Sequence, residues 1–459
     1  SWNIRKGQKE KTMFRKDFVW GAATAAYQIE GGVREDGRTQ SVWDMLCERA
    51  GAVCNGDTGE TACDFYHRYR EDIAMMKRFG IRAFRMSFSW NRIFPEGTGA
   101  VNEKGLDFYD RVVDELLKNG IVPYVTLLHW DLPRALYERG GYMNPDFCNW
   151  FADYARVVAG HFSDRVKNFF TFNEPQLILG AHRGSGKAPA LSLSDAETVP
   201  VAHHILLAHG RAVRAMRAEA GDLALGMANQ GCFFYPVSDT PENEAAAKRE
   251  TFEYRRPNWY SSLPWYADPV FLGKYPEPLL SRLEKYLPAG WEKDMAEIAE
   301  PIDFCGQNFY NAFPVDEKGK SVPFPPGTAY NSEHWNVSPS GLYYSVKWQY
   351  ERYRKPVLIT ENGMCCHDWI SMDGKVHDPQ RIDFLRRYLL QLERAADEGA
   401  DVLGYFCWSW MDNFEWTQGY RPRFGLVYVD YETQARTPKD SAFWYRDVIA
   451  NNGTNLRDF

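Results

Sequence analysis

The sequence predicts an α/β fold, a single (β/α)8 TIM barrel with elaborated loops at the face where its strands end. Three observations predict it. One phrase recurs along the 459 residues: an amphipathic helix closes on Gly and an apolar strand follows at once. KRFG-IRAFRMSFSW (77–90), LKNG-IVPYVTLLHW (117–130), RAEAG-DLALGMANQG (217–231) and ADEG-ADVLGYFCWSW (396–410) all read this way. A Gly at the helix end takes the left-handed cap, so the connection to the strand is short. Eight strand candidates alternate with helical patterns, which argues for parallel strands closed on themselves. Those strands are near-continuous apolar runs, as expected where both faces are covered.

Taken in order, the strands are expected at 18–29, 81–90, 121–130, 166–174, 223–235, 303–311, 356–361 and 402–410. In the helix over 64–80, Phe65, Tyr69, Ile73 and Met76 recur at helical spacing. Asn144-Pro145, Thr240-Pro241 and Asp378-Pro379 each read as an N-cap followed by Pro at the first helical position. Ser194 to Glu197 fits a capping box. A barrel of this kind needs only about 250 residues; the excess sits at 31–63, 175–195, 236–300 and 312–337. No Ser/Gly-rich linker interrupts the chain, so 13–459 reads as one catalytic domain. Residues 1–12 read as a disordered extension or an expression remnant. An open doubly wound sheet would want GxGxxG after its first strand, and GAATAAYQIEGG is not that.

A formal net charge of −7 and the lack of a basic stripe exclude nucleic acid as a partner. No run has the 18 or so apolar residues of a membrane span, and the charged N-terminus lacks a signal-peptide core. The nine cysteines are scattered through apolar segments. A Cys47–Cys54 bridge is conceivable, but free thiols in a cytoplasmic protein fit better. Homo-oligomers are compatible with all of this. Ten histidines are present, yet His203 and His204 sit in a helical stretch and no HxH or HExxH occurs. Neither a metal nor another cofactor is expected.

In such a barrel, chemistry collects where the strands end. Reading those ends gives Gln28 and Glu30, Arg85, His129 and Trp130, Asn173 and Glu174, Asn229, Asn308 and Tyr310, Glu361 and Asn362, and Trp408, with Glu415 and Trp416 just beyond. One polar group at a wet rim is unremarkable; a hydrogen-bonding group or Trp at nearly every end is not. Glu174 ends strand four in VKNFFTFNEP, and Glu361 ends strand seven in VLITENG. Two carboxylates aimed across one mouth are the equipment of glycoside hydrolysis. Their spacing would separate retention from inversion, and strand positions alone leave both open. An aromatic strand behind Glu174 should dry it and raise its pKa, suiting a general acid. Arg85 and Tyr310 could hold Glu361 charged as nucleophile. The remaining rim suits a neutral polyol: Gln28, His129, Asn173 and Glu415 for hydroxyls, and Trp408, Trp416 and Trp335 for the apolar faces of a pyranose.

TFNEP and ITENG, with FVWGAATAAYQIEGG, RMSFSWNRIFPEG, TLLHWDLP, CGQNFY, WSWMDNFEW and RFGLVYVD, resemble glycoside hydrolase family 1, the β-glucosidase family. The likeness runs through nearly the whole chain. It implies a retaining double displacement on β-linked glucosides, with β-galactosides and β-fucosides within reach, in carbohydrate metabolism such as cellulose degradation. It implies that Glu174 is the acid/base and Glu361 the nucleophile, supported by Arg85 and Tyr310. It implies a glycone set of Gln28, His129, Trp130, Asn173, Glu415 and Trp416, with Trp408 as platform and Asn308 in the inner pocket. Trp335 and Phe424 fall on the aglycone side. Relatives acting on 6-phosphorylated glycosides carry Ser where Glu415 stands, and plant thioglucosidases carry Gln where Glu174 stands. The partner is therefore an unphosphorylated glycoside or short β-linked oligosaccharide. A transglycosylase on the same site and a sugar-binding barrel without turnover are the alternatives; the second should have lost a carboxylate. GAHRGSGKAPA (180–190), DLPRALYERGGYM and the segment holding Cys47, Cys54 and Cys63 depart from the family pattern in mouth loops. These departures bear on aglycone preference.

Overall fold

A computed structural model describes residues 14–458; the extension expected over 1–12 lies outside them. Eight parallel strands close into a barrel in sequential order. They are β1 (Val19–Ala23), β2 (Ala83–Ser87), β3 (Val122–Leu128), β4 (Asn168–Asn173), β5 (Ala224–Asn229), β6 (Phe304–Asn308), β7 (Val357–Asn362) and β8 (Val402–Trp408). Closure is made by β1 against β8, with Ala23 opposite Trp408. The fold class is the one expected.

Two strands are shorter than their apolar runs suggest. The run 18–29 ends as a strand at Ala23, and Ala26–Ile29 turn into a helix. The stretch AATAAY is rich in the best helix former, and Ser87 accepts the Ala26 N–H at 2.7 Å. Gln28 thus rides on a helical turn above the barrel. The run 223–235 ends at Asn229; Phe234–Pro236 then pairs with Phe313–Val315 in a separate two-stranded sheet. Among the caps, Thr240 accepts the Asn243 N–H and Ser194 with Glu197 forms the reciprocal box. Asn144 lies short of its helix, which begins at Phe147. Asp378 precedes Pro379, but its carboxylate serves Arg381 and Ser441 instead.

The core has two layers. Helices such as Phe147–Phe162 and Asp195–Glu219 cover the outside of the strands. Inside, Tyr124, Phe170, Phe304, Leu358 and Phe406 plug the barrel. Their rings meet edge-on, Tyr124–Phe406 at 5.0 Å and Phe170–Phe304 at 5.4 Å. This plug makes a dry floor directly beneath the strand ends.

The strand register breaks where the chemistry collects. Along β4, Phe170 points inward to the plug, while Phe172 packs outward on Phe151 at 4.3 Å. Strict alternation from Phe170 would turn Phe172 inward and Asn173 away. The pairing of β4 with β5 shifts between Phe170 and Asn173, and Glu174 takes a left-handed backbone, φ 44°. Both Asn173 and Glu174 therefore face the axis, as irregularities beside active sites often re-aim side chains. The pairing of β7 shifts likewise against β6 and β8 around Glu361. Gly363 permits this: a Cβ there would lie 1.7 Å from the Trp408 carbonyl oxygen.

Candidate active site

Glu361, at the end of β7, is gripped from two sides. Arg85 Nη1, from β2, lies 2.6 Å from its Oε1, both side chains at most 5% exposed. The Tyr310 hydroxyl donates to Oε2 at 2.7 Å. Arg85 forks: Nη2 donates to Asn173 Oδ1 at 2.7 Å, fixing the Glu361 carboxylate and the Asn173 amide in one frame. Burial pushes the Glu361 carboxyl up, opposed by the Arg85 charge, the Arg85 and Tyr310 hydrogen bonds and Asn308.

Glu174 has a poorer set of partners. It accepts one hydrogen bond from the neutral Asn308 amide, at 2.7 Å. Burial raises its pKa to about 8, and the Glu361 charge pushes in the same direction; Asn308, Lys187 and Arg85 only partly offset them. A guanidinium stabilises an anion and an amide does so weakly. The proton of this carboxylate pair therefore sits on Glu174 and the negative charge on Glu361.

Asn308 is spent on the protein. Its Nδ2 bridges Glu174 and Asn173 Oδ1, and its Oδ1 accepts from Thr360. It brackets the acid from behind. Asn173 Nδ2 reaches His129 Nε2 at 3.0 Å and has a second N–H left over. Since the Asn173 oxygen already takes two donors, its amide is oriented and His129 Nε2 accepts. Burial, then the Arg85 charge, holds the His129 pKa well below the usual range, so the ring is neutral. Its Nδ1 has no protein partner. Gln28 donates to Asn413, to the Phe414 carbonyl and, at 3.3 Å, to Glu415 Oε2; its Oε1 is unpartnered. His129 lines the cavity, and Gln28 reaches it through Glu415. Burial raises Glu415 to about 7.

These groups surround one cavity of about 400 Å³. His129, Trp130, Glu174, Tyr310, Trp335, Glu361, Trp408, Glu415, Trp416 and Phe424 wall it. Gln28, Arg85, Asn173 and Asn308 stand behind that wall and act on it through the bonds just described. Trp408 and Trp416 both lie near-parallel to His129, at 5.9 and 5.8 Å. Trp335, Tyr310 and Phe424 form a second aromatic corner. Trp130 donates through Nε1 to the Asn173 carbonyl at 3.0 Å, so it anchors Asn173 while its ring packs on Trp416. Glu30, read at a strand end, instead pairs with Arg92 and Tyr109 inside the protein, and Asn229 accepts from Gln176. Sequence reading missed Lys187, Gln230 and Glu333, which line the mouth. The only signal was the atypical GAHRGSGKAPA loop. A wider surface groove of about 580 Å³ flanks helix Pro379–Asp397, but its one acid, Asp383, is bridged to Arg387. No cluster of three or more His, Cys, Asp or Glu suited to a metal occurs among the described residues.

A closed parallel barrel with a protonated and an ionised carboxyl over one polar, aromatic-walled cavity defines a protein of the glycosidase class. The chain belongs to glycosyl hydrolase family 1, whose model matches residues 10–454. Beta-glucosidase A of Thermotoga maritima is 43% identical over 446 residues, 96% of this chain and 98% of that protein. A bifunctional beta-D-glucosidase/beta-D-fucosidase of Bifidobacterium breve is 39% identical over 472 residues, covering 96% and 99%. The solved family 1 β-glucosidase from T. maritima superposes with TM-score 0.89 at 42% identity, covering 96% of this chain and 99% of that one. It has also been solved in complex with glucoimidazole.

Proposed function

We propose that this protein is a retaining β-glucosidase that removes terminal β-D-glucosyl units from unphosphorylated glycosides, with Glu174 as acid/base and Glu361 as nucleophile. The observation that carries this is the opposed environments of the two glutamates: a guanidinium and a phenol on Glu361, one neutral amide on Glu174. Glu361 attacks the anomeric carbon while Glu174 protonates the departing oxygen, leaving a glucosyl ester on Glu361. Esterification removes the charge that helps to raise Glu174, so its pKa falls and it becomes the base for incoming water. His129 and Glu415 on the wall meet the sugar hydroxyls, Asn173 and Gln28 orient them from behind, and the Trp408 face meets the ring.

The T. maritima and B. breve relatives support glucoside as the substrate and fucoside as a second one. Glu415, a carboxyl that would repel a phosphate where the 6-phosphoglycoside relatives carry Ser, supports the unphosphorylated sugar. Among the described residues no helix is long and apolar enough to cross a membrane. Nine unbridged thiols support a reducing, cytoplasmic compartment. The test is a panel of aryl β-glycosides (gluco, galacto, fuco, xylo and 6-phosphogluco) with the first product's anomer followed by NMR. β-Glucose as first product from the glucoside is expected; α-glucose first, or hydrolysis of the 6-phosphoglucoside alone, refutes the reading.

A further inference from the structure

Lys187 is the only cation among the described residues that wall the cavity, and the mechanism above does not use it. It sits in the atypical loop after β4, half-buried. Its Nζ lies over the Trp130 ring, 5.4 Å from the centroid, and among the described residues it has no hydrogen bond and no carboxylate within 4.0 Å. Glu415, Glu174 and Glu333 act on it only at longer range.

The other charges around the mouth are already accounted for. Glu361 is paired with Arg85, and Glu333 with Arg421 at 3.3 Å. Glu174 keeps its proton to about pH 8 and Glu415 titrates near 7. In the reacting form the cavity mouth, which an exo-acting pocket leaves to the aglycone, therefore presents one unpaired ammonium. Ser185, Gln230 and Gln418 beside it are neutral. The ammonium lies over the Trp130 indole, which holds it in place without neutralising it.

Resting on the β-glucosidase reading, we propose that Lys187, held over the Trp130 ring at the cavity mouth, forms a leaving-group subsite selective for aglycones that carry a carboxylate. Lys187 closes an ion pair with that carboxylate. Two kinds of aglycone offer that chemistry, an aryl acid and a uronic acid.

The experiment compares kcat/KM for 4-carboxyphenyl β-D-glucoside and its neutral methyl ester, in the wild type, Lys187→Met and Lys187→Arg. Taking the acid/ester ratio within each protein, and then between proteins, cancels the intrinsic reactivity of the two leaving groups. Glucosyl-β-1,4-glucuronate against cellobiose gives the same comparison for a sugar acid and tells the two sources apart. The wild-type ratio is expected to exceed that of Lys187→Met by roughly fivefold or more for at least one source, to survive in Lys187→Arg, and to shrink as salt is raised. An acid/ester ratio unchanged by Lys187→Met in both series overturns the subsite. If the wild type hydrolyses neither the ester nor cellobiose, the glucosidase reading itself falls. Hydrolysis of the ester with an unchanged ratio removes only the carboxylate subsite.

Discussion

Replacing Arg85 by Met should move the acid limb of the pH–rate profile upward. Arg85 is wholly buried, 2.6 Å from Glu361 Oε1, and its charge is the largest influence opposing burial of that carboxyl. An adjacent guanidinium depresses a carboxylate pKa by about 1 to 3 pH units. Burial already pushes Glu361 up, so removing the cation leaves the upward push unopposed and the nucleophile picks up its proton at higher pH. On the acid side each pH unit of displacement lowers the ionised fraction about tenfold. The acid limb of kcat/KM should therefore climb by about 1 to 3 pH units, while Glu174, near 8, keeps the basic limb close by. The bell narrows and its maximum falls. Lys at this position retains charge but has no fork to hold Glu361 and Asn173 together. Arg85→Lys should keep the limb near its wild-type place and lose kcat. The assay is kcat/KM for an aryl β-glucoside between pH 4 and 9, with circular dichroism to establish folding. A folded Arg85→Met enzyme whose acid limb stays within about 0.3 pH unit of wild type would refute the claim that Arg85 sets the nucleophile's charge.

Glu174→Ala should slow hydrolysis of cellobiose by about 10²- to 10⁴-fold but hardly slow glucosyl transfer from 2,4-dinitrophenyl glucoside, whose leaving group needs no proton. Equal losses on both, in single-turnover measurements, argue against the acid role. Glu174→Gln should stabilise the protein in alkali. The folded pKa of about 8 exceeds the ordinary 4.5, so this acid costs nothing below about 4.5 and costs increasingly as pH rises towards 8. The expected gain is a few kcal/mol, about, at pH 8 and none at pH 4, read from urea melts; a gain that is the same at both would contradict the assigned protonation. Gly363→Ala should be severely destabilising, since its Cβ would overlap the Trp408 carbonyl oxygen, and thermal melts at wild-type temperature would show the register break to be pliable. Trp130→Phe keeps an aromatic wall but removes the bond to the Asn173 carbonyl. A loss of about 0.5–1.5 kcal/mol in kcat/KM is expected, and unchanged kinetics would deny Trp130 its anchoring part.

The repeated Gly-capped helix and apolar strand, the eight-fold count and the glutamates at two strand ends were legible because they depend on local chemistry. Helix capping, side-chain period and apolar length are properties of neighbouring residues. What strand ends alone misjudged was orientation. Glu30 and Gln28 stand two residues apart, yet one turns inward to Arg92 and the other serves the cavity. That division follows from the helical turn at Ala26–Ile29. Strict alternation would have hidden Asn173, and only the shifted pairing of β4 with β5 brings it beside Glu174.

The amino-acid order by itself determined that this chain closes a parallel barrel and carries two acids to its mouth, because each strand and cap is specified within a few residues. The sequence pointed to Glu174 as the acid; only the tertiary structure supplies the distances and burial that set the two carboxyls apart. Those environments depend on Arg85, Tyr310 and Asn308, brought from two separate strand ends to two carboxyls over a dry aromatic floor, and electrostatic energy depends on distance in space and not on position in the chain.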